Sequence, residues 1–278
     1  MFSAVIPIYN HASFVAQAIC SALRSPLVVE VLLLDDGSTD GSRRVAARMA
    51  AAYPGRVQDL TPPRGGNRGA HHRLNELVAQ ARSEWIAVLN SDDAFVSDRF
   101  ETVVGDARFA HADFIFGNLL FMNQHGALIG AKRGPFDPGA PFPPCFDVHS
   151  MVMQNQFLDL LSHQNFLGTT GNMIFRKALH ERVGGFAAYR YVHDWDFALR
   201  AMALGRPLYV QRFLTAYRMH SRNTILENPG KVDDEAADLF ARFVADFPAV
   251  LTRPSFQIGL QFNVNHACPR TGVLTASA

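Results

Sequence analysis

Short apolar runs alternate with longer amphipathic stretches over the first ninety residues of the chain. The uninterrupted apolar runs at 4–8 and 31–34 are typical of parallel strands that are buried between helices. Polar residues gather directly after the predicted strands, at the sheet edge where ligands bind in open parallel sheets. The pattern predicts strands at 3–8, 29–34, 57–60 and 85–89, and helices at 14–23, 42–53 and 73–82.

The alternation weakens after residue 98, which predicts that the sheet becomes mixed. Five prolines within 133–146 predict an extended surface loop, and the tail after Arg253 is predicted to be weakly ordered. The remaining predictions are an amphipathic segment at 99–109, strands at 114–116, 118–123 and 172–175, a short strand pair at 208–217, and helices at 151–161, 194–204 and 233–247.

Composition narrows the class of protein. The chain has 278 residues, of which 48% are hydrophobic and 18% charged, enough apolar material for a globular core. A net charge of +1 without long charge runs argues against a nucleic-acid partner. Three scattered cysteines, the lack of a signal-peptide pattern and the lack of an 18-residue apolar run indicate a cytoplasmic protein. Peripheral association with the inner face of a membrane stays compatible with this composition.

Polar side chains follow the first two predicted strands. Pro7, Tyr9 and Asn10 end the first strand, and Asp36 follows the second within DDGSTDGS at 35–42. Pro7 removes a hydrogen-bond donor near the strand end, while Asn10 and Asp36 present polar groups at neighbouring strand tips. A carboxylate at position 36 can accept a hydrogen bond from a base or a ribose. Asp40 and Ser42 are better explained as capping residues of the next helix.

Two adjacent carboxylates, Asp92 and Asp93, follow the strand at 85–89 in the segment NSDDA. Mg²⁺ and Mn²⁺ prefer oxygen ligands and commonly take one or two protein carboxylates. Asp92 is therefore predicted to be a metal ligand. The alternative is an acidic turn that starts a helix before Phe95.

A further polar cluster opens an aromatic-rich helix. HDWDFALR at 193–200 places Asp194 at the start of this helix, where a carboxylate is useful as a general base. Asp196 is either a second functional carboxylate or a structural residue of the helix start. His220, in a predicted loop, either binds the metal or is a surface histidine.

The order of these motifs resembles that of the family 2 glycosyltransferases. Neither GxGxxG nor GxxxxGK[ST] occurs, which argues against dinucleotide-binding and P-loop enzymes. The resemblance covers residues 3 to about 224. The matching segments are VIPIYN at 5–10, DDGSTDGS at 35–42, NRG at 67–69, NSDDA at 90–94, GNMIFR at 171–176, GGF at 184–186, HDWDFALR at 193–200 and YRMH at 217–220. Asn90 and His193 depart from the family pattern, because many relatives have acidic residues at these two positions.

The resemblance implies an α/β chain with the GT-A, Rossmann-like fold. Its mostly parallel central sheet would be flanked by helices, with a smaller mixed C-terminal region on the acceptor side. The GT-A domain would span 1–224, with a nucleotide-sugar half at 1–98 and an acceptor half at 99–224. A C-terminal helix and the weakly ordered tail would occupy 225–278.

The resemblance also implies roles for individual residues. Asp194 would be the catalytic base of an inverting single displacement. Asp92, together with His220, would bind Mn²⁺ or Mg²⁺, weakly when no nucleotide is present. The residues expected to contact the nucleotide sugar are Pro7, Tyr9, Asn10, Asp36, Arg68, Asn90, Ser91 and Asp93. Arg68 is either a pyrophosphate contact or an ordinary surface arginine.

The leading interpretation is an enzyme that moves a sugar from a UDP-sugar or a related donor to a hydroxyl of a glycan or lipid-linked acceptor. A sugar-phosphate nucleotidylyltransferase also uses a parallel sheet and a metal, but the glycine-rich loop that such enzymes carry after the first strand is missing. A non-catalytic module that binds sugar nucleotides or glycans is the third alternative. The presence of both Asp92 and Asp194 argues against that alternative.

Overall fold

A nine-stranded sheet runs through the residues that this computed structural model describes, 1–63, 66–224 and 228–267. The strand order is β3-β2-β1-β4-β8-β6-β9-β5, and β7 pairs with β6. The strands are β1 (Phe2–Ile8), β2 (Val28–Asp35), β3 (Val57–Asp59), β4 (Trp85–Val88), β5 (Ala94–Phe95), β6 (Phe114–Met122), β7 (Leu128–Lys132), β8 (Ile174–Arg176) and β9 (Pro207–Arg218).

The first four strands form the predicted parallel half of the sheet. β1 lies between β2 and β4, and β3 adds to the outer edge of β2. The second half is mixed, as expected: β8 is antiparallel to β4 and β6, whereas β9 is parallel to β6. The carboxyl ends of β1, β2 and β4 consequently lie side by side at one edge.

Helices cover both faces of the sheet. α1, α2 and α4 pack on one face, and the larger apolar core on the other face includes residues of α3 and α5 to α10. The helices are α1 (Val15–Leu23), α2 (Ser42–Ala52), α3 (Ala70–Gln80), α4 (Arg99–Val104), α5 (Val148–Met153), α6 (Phe157–His163), α7 (Lys177–Val183), α8 (His193–Leu204), α9 (Pro229–Asp246) and α10 (Pro254–Ala267).

Two strand predictions in the mixed half of the sheet are wrong. The predicted strands at 114–116 and 118–123 are one strand, β6, because Gly117 lets β9 approach closely: a Cβ there would lie 2.5 Å from Leu214. The predicted strand pair at 208–217 is likewise one strand, β9. Its pairing with β6 shifts register near Gly117, and its exposed residues Gln211 and Arg212 break the apolar pattern.

Two helix predictions also differ from the structure. The predicted helix at 151–161 is divided into α5 and α6, because Asn155 between them has a left-handed backbone with φ of 55°. The segment at 99–109 forms α4 and then, after a break, a 3₁₀ helix at Phe109–His111.

The tail is more ordered than predicted, whereas residues 137–145 form the irregular surface loop that the prolines predict. The two ends of the segment at 133–146 enter the core, because Pro135 and Phe146 are buried. The tail after Arg253 forms α10, because Pro254 suits a helix start and the fully buried Phe256 anchors the helix. The guanidinium of Arg253 also pairs with the buried carboxylate of Asp159 on α6.

Some expectations concern residues outside the described ranges. These are positions 64 and 65 of the glycine-rich turn, and the end of the tail from residue 268. Cys20 and Cys145 are exposed free thiols. Within the described residues, no helix combines the length and the apolar character that a membrane span requires.

Candidate active site

Three loops at the carboxyl ends of β1, β2 and β4 are joined by side-chain hydrogen bonds. The backbone N–H of Asn10 donates to Ser38 Oγ at 2.9 Å, and Asn10 Oδ1 accepts from the backbone N–H of Thr39 at 2.8 Å. His11 Nδ1 lies 2.8 Å from Ser91 Oγ in the loop after β4. The loop after β1 therefore connects the two loops that the sequence predicts to be functional.

The loop after β2 is closed against the turn at 66–69. Gly37 has a φ of +83°, and a Cβ there would lie 3.2 Å from the backbone of Gly66 and Asn67, so a glycine is required for this approach. Pro7 is half-buried in β1, and the neighbouring Tyr9 is 44% exposed at the same edge. The ring of Tyr9 thus remains accessible at the predicted nucleotide site.

Asp36, predicted to read the base, is buried and engaged by the protein. Its Oδ1 accepts from the backbone N–H of Arg68 at 2.8 Å and from Arg73 Nε at 2.7 Å, and its Oδ2 accepts from the backbone N–H of Gly69 at 2.9 Å. The carboxylate therefore orders the 68–69 turn. The Arg68 side chain is about half exposed and bonds to Glu76.

The adjacent carboxylate, Asp35, was not among the predicted site residues. Its Oδ1 accepts from the backbone N–H groups of Gly37 and Ser38. Its buried Oδ2 has no hydrogen-bond partner among the described residues. Of the two carboxylates at the end of β2, Asp35 therefore has the unused acceptor oxygen.

The polar residues after β4 have different environments. Asn90 donates to Asp93 Oδ2 at 3.1 Å and to Thr169 Oγ1 at 2.7 Å. Asp93 is fully buried and accepts from the backbone N–H of Arg218 at 2.8 Å. Burial and then the negative charge of Asp92 raise the pKa of Asp93 well above 3.8. Asn90 and Asp93 therefore belong to an internal network. The alternative interpretation of NSDDA as an acidic turn that starts a helix is wrong, because the strand β5 follows directly.

Asp92 lies between two histidines. His220 Nε2 is 3.0 Å from Asp92 Oδ2, and His11 Nδ1 is 3.7 Å from Asp92 Oδ1. One ligand atom from each residue lies within 4.8 Å of the others, an arrangement that fits a divalent metal. Burial opposes ionisation of Asp92, but the hydrogen bond from His220 and the nearby His11 outweigh it and lower its pKa. Burial also lowers the pKa of His11.

The sequence predicts Asp92 and His220 as metal ligands but misses His11. The one available signal is its position, because His11 directly follows Asn10 at the end of the first strand. Arg218 was also missed, although it lies within the YRMH segment. Its buried guanidinium donates from Nε to the backbone carbonyl of Asp92 at 2.7 Å and so holds the loop after β4.

Asp194 is the second residue of α8 and is 9% exposed. Its Oδ2 accepts from Asn165 Nδ2 at 3.1 Å, and its Oδ1 accepts from the backbone N–H of Trp195 at 2.7 Å. The N-terminus of a helix favours a negative charge at this position. Both oxygens are thus oriented by the protein, and Asn165 was not predicted from the sequence.

The neighbouring Asp196 has a structural environment. Its carboxylate forms an ion pair with Arg200 one turn later, and Arg200 also donates to the carbonyls of Val183 and Gly185. Asp196 therefore fastens α8 to the end of α7. The ring of His193 lies 6.4 Å from that of Phe186, and its buried Nδ1 lacks a hydrogen-bond partner among the described residues.

Tyr217, near the end of β9, is half-buried. Its hydroxyl accepts from Asn223 Nδ2 at 3.1 Å. Burial raises the pKa of Tyr217, and the negative charges of Asp93, Asp92 and Asp194 raise it further.

Comparison with other sequences places this site in a known family. The model of glycosyl transferase family 2 matches residues 3–196. The succinoglycan biosynthesis protein ExoU of Rhizobium meliloti is 34% identical over 212 residues, which are 72% of this chain and 56% of that protein. The chain thus spans little more than half the length of that relative. An uncharacterized Nostoc glycosyltransferase, alr2836, is 24% identical over 84% of this chain and 70% of its own length.

Solved structures share the architecture. The S. aureus TarS 1-349 complex with UDP-GlcNAc superposes with a TM-score of 0.64 at 17% identity, over 87% of this chain and 66% of that chain. The mannosyltransferase PcManGT from Pyrobaculum calidifontis, in complex with GDP-Man and Mn²⁺, gives 0.60 at 17% identity over 98% and 76%. These likenesses establish the predicted GT-A fold. Since the family model also matches most of the chain, this protein belongs to glycosyl transferase family 2.

Proposed function

We propose that the protein transfers a sugar from a UDP-sugar to a hydroxyl of a glycan or lipid-linked acceptor, with inversion at the anomeric carbon. The observation that carries this proposal is the convergence of Asp92 with His11 and His220 at the carboxyl end of β4, an arrangement that fits a divalent metal. In such an enzyme, this metal-binding carboxylate and the oriented base Asp194 would face one cleft. The UDP donor is supported by the TarS complex, and a polysaccharide acceptor by the name of the succinoglycan relative.

The donor would lie along the carboxyl ends of β1, β2 and β4. Tyr9, with its exposed ring, and Asn10 would border the nucleoside, and the turn that Asp36 orders would shape the base pocket. The cluster of Asp92, His220 and His11 would hold a divalent metal beside the diphosphate. Such a metal offsets the charge that develops on a departing nucleoside diphosphate. Arg68 would need to leave Glu76 to reach that diphosphate.

The acceptor hydroxyl would be deprotonated by Asp194. Asn165 and the backbone N–H of Trp195 each bond one of its oxygens, which limits rotation of the carboxylate. The acceptor oxygen would attack the anomeric carbon from the face opposite the diphosphate. A double displacement would need a second carboxylate as nucleophile, but Asp196 is held by Arg200, and Glu181 lies exposed on α7. These contacts support a single inverting displacement, which is the mechanism that we propose.

A donor screen tests the proposal. The protein would be incubated with UDP-, GDP- and dTDP-sugars, with and without Mn²⁺ and with oligosaccharide acceptors, and both nucleotide release and the anomeric configuration of the product would be measured. We expect metal-dependent release of UDP and a product with inverted configuration. Binding of sugar nucleotides without turnover for any acceptor would favour a non-catalytic module. A product of retained configuration would contradict the single displacement.

A further inference from the structure

His11 lies beside Asp92 and His220, the two residues that the sequence predicts as metal ligands. The three side chains come from three separate segments: the loop after β1, the loop after β4 and the segment after β9. The rings of His11 and His220 are nearly perpendicular, at 82°, with centroids 5.6 Å apart. Two imidazoles and one carboxylate therefore converge on one point.

Each of the three residues is also held from outside the cluster. The backbone N–H of His11 donates to Ser42 Oγ at 2.8 Å. His220 stacks on Phe14 at 5.2 Å. The backbone carbonyl of Asp92 is bonded by the buried Arg218. Ligands that are fixed by neighbouring contacts lose little conformational freedom when a metal binds, which favours a site that exists before the ligand arrives.

We propose that His11 is the third ligand of a metal site that it forms with Asp92 and His220. This preorganised site offers two nitrogens and one oxygen. It binds Mn²⁺, or another first-row transition metal, before the nucleotide sugar and in preference to Mg²⁺. This inference rests on the proposed function for its biological use. It replaces the expectation that the metal binds weakly without nucleotide.

The donor set is the reason for the selectivity. Imidazole nitrogen suits transition metals, whereas Mg²⁺ is a hard cation that keeps several waters and is held mainly by oxygen. A site with a single carboxylate and two imidazoles offers Mg²⁺ one favourable protein ligand, but offers Mn²⁺ three. Competition among transition metals should follow the usual order, with Co²⁺ and Zn²⁺ displacing Mn²⁺.

Pulsed electron paramagnetic resonance on the metal-stripped full chain tests the site directly. Mn²⁺ would be added without nucleotide, and the imidazole nitrogens coupled to it would be counted. We expect two nitrogens in the wild type and one in His11→Gln, a variant that can keep a polar contact to Ser91. Mn²⁺ affinity should fall by more than the roughly 10–100-fold that the loss of an outer ligand partner costs. His111→Gln, at an exposed histidine of a 3₁₀ helix, is the matched control and should match the wild type.

The wild-type nitrogen count decides the matter even where a variant folds poorly. Any of three results would overturn the inference: at most one coupled nitrogen in the wild type, an unchanged nitrogen count in His11→Gln, or displacement of Mn²⁺ by equimolar Mg²⁺. Such a result beside metal-dependent sugar transfer would leave the proposed function standing. Two nitrogens together with no transfer from any donor would support the metal site and count against the proposed function.

Discussion

Replacement of Arg218 by methionine should destabilise the fold and the loop after β4 together. Arg218 is 1% exposed, and its guanidinium fills a space between that loop, α1 and the β6–β7 hairpin. It also lies 4.7 Å above the ring of Phe14. Its acceptors are the carbonyls of Asp92, Asn123 and Gln124 and the side-chain oxygen of Gln17.

The size of the effect follows from what would be left behind. Methionine keeps most of the volume but donates no hydrogen bond, so these four acceptors would lose their donors. A buried acceptor without a partner costs about 1–3 kcal/mol. Water can replace the donor at Asn123 and Gln124, where the contacts are partly exposed, but less readily at Asp92. Loss of the positive charge also removes a favourable influence on the nearby carboxylate of Asp92, which adds to this cost.

We therefore expect Arg218→Met to lower the free energy of unfolding by about 2–5 kcal/mol, a large part of the roughly 5–15 kcal/mol of a typical domain. Denaturant titration, followed by the fluorescence of the two tryptophans, would measure it. The matched control is Arg212→Met, because Arg212 is exposed on the same strand; its change should stay within about 0.5 kcal/mol. A loss below about 1 kcal/mol, or an equal loss in the control, would refute the reasoning.

Three further substitutions test other parts of the structure. Asp92→Ala should abolish metal-stimulated binding of nucleotide, and calorimetry that finds equal stimulation by Mn²⁺ in variant and wild type would contradict this. Burial opposes ionisation of Glu30, but hydrogen bonds from Ser3 and Arg82 outweigh it and lower its pKa below 4.5. Glu30→Gln should consequently lower the free energy of unfolding by about 1–3 kcal/mol at neutral pH. The difference from the wild type should shrink as the pH falls below 4.5, because the wild-type carboxylate then becomes protonated. A difference that stays constant down to pH 3 would exclude this cause. Asp196→Asn should lower the thermal midpoint while leaving donor affinity unchanged, and reduced affinity in folded protein would argue for a functional role.

The parallel half of the sheet could be predicted because its pattern is local. The apolar runs of β1 and β2 and the polar residues after them appear directly in the sequence, so the sequence predicts the sheet edge that carries Asn10 and Asp92. The mixed half depends on contacts between distant segments. In the sequence alone, Gly117 indicates a strand break, although in the structure it is the residue that lets β6 and β9 pack closely.

The site was predictable to a similar degree. Asp92 and Asp194 follow recognisable motifs, whereas His11 and Asn165 acquire their neighbours only through folding. Asn165 is separated from Asp194 by 29 residues, and His11 from Asp92 by more than one βα unit. The environment of Asp36 was also unpredictable, since its partner Arg73 reads in the sequence as an ordinary helix residue.

The central claim is that Asp194 is the general base of an inverting transfer. The most direct test is the single-turnover transfer rate of Asp194→Asn, measured beside its affinity for the donor. Asparagine keeps the shape of the side chain but cannot accept the acceptor's proton, so we expect the rate to fall by about 10²–10⁴-fold. The affinity for sugar nucleotide should stay within about threefold of the wild type, because the substitution removes no contact that binds the donor before the reaction. A turnover near that of the wild type would contradict the account.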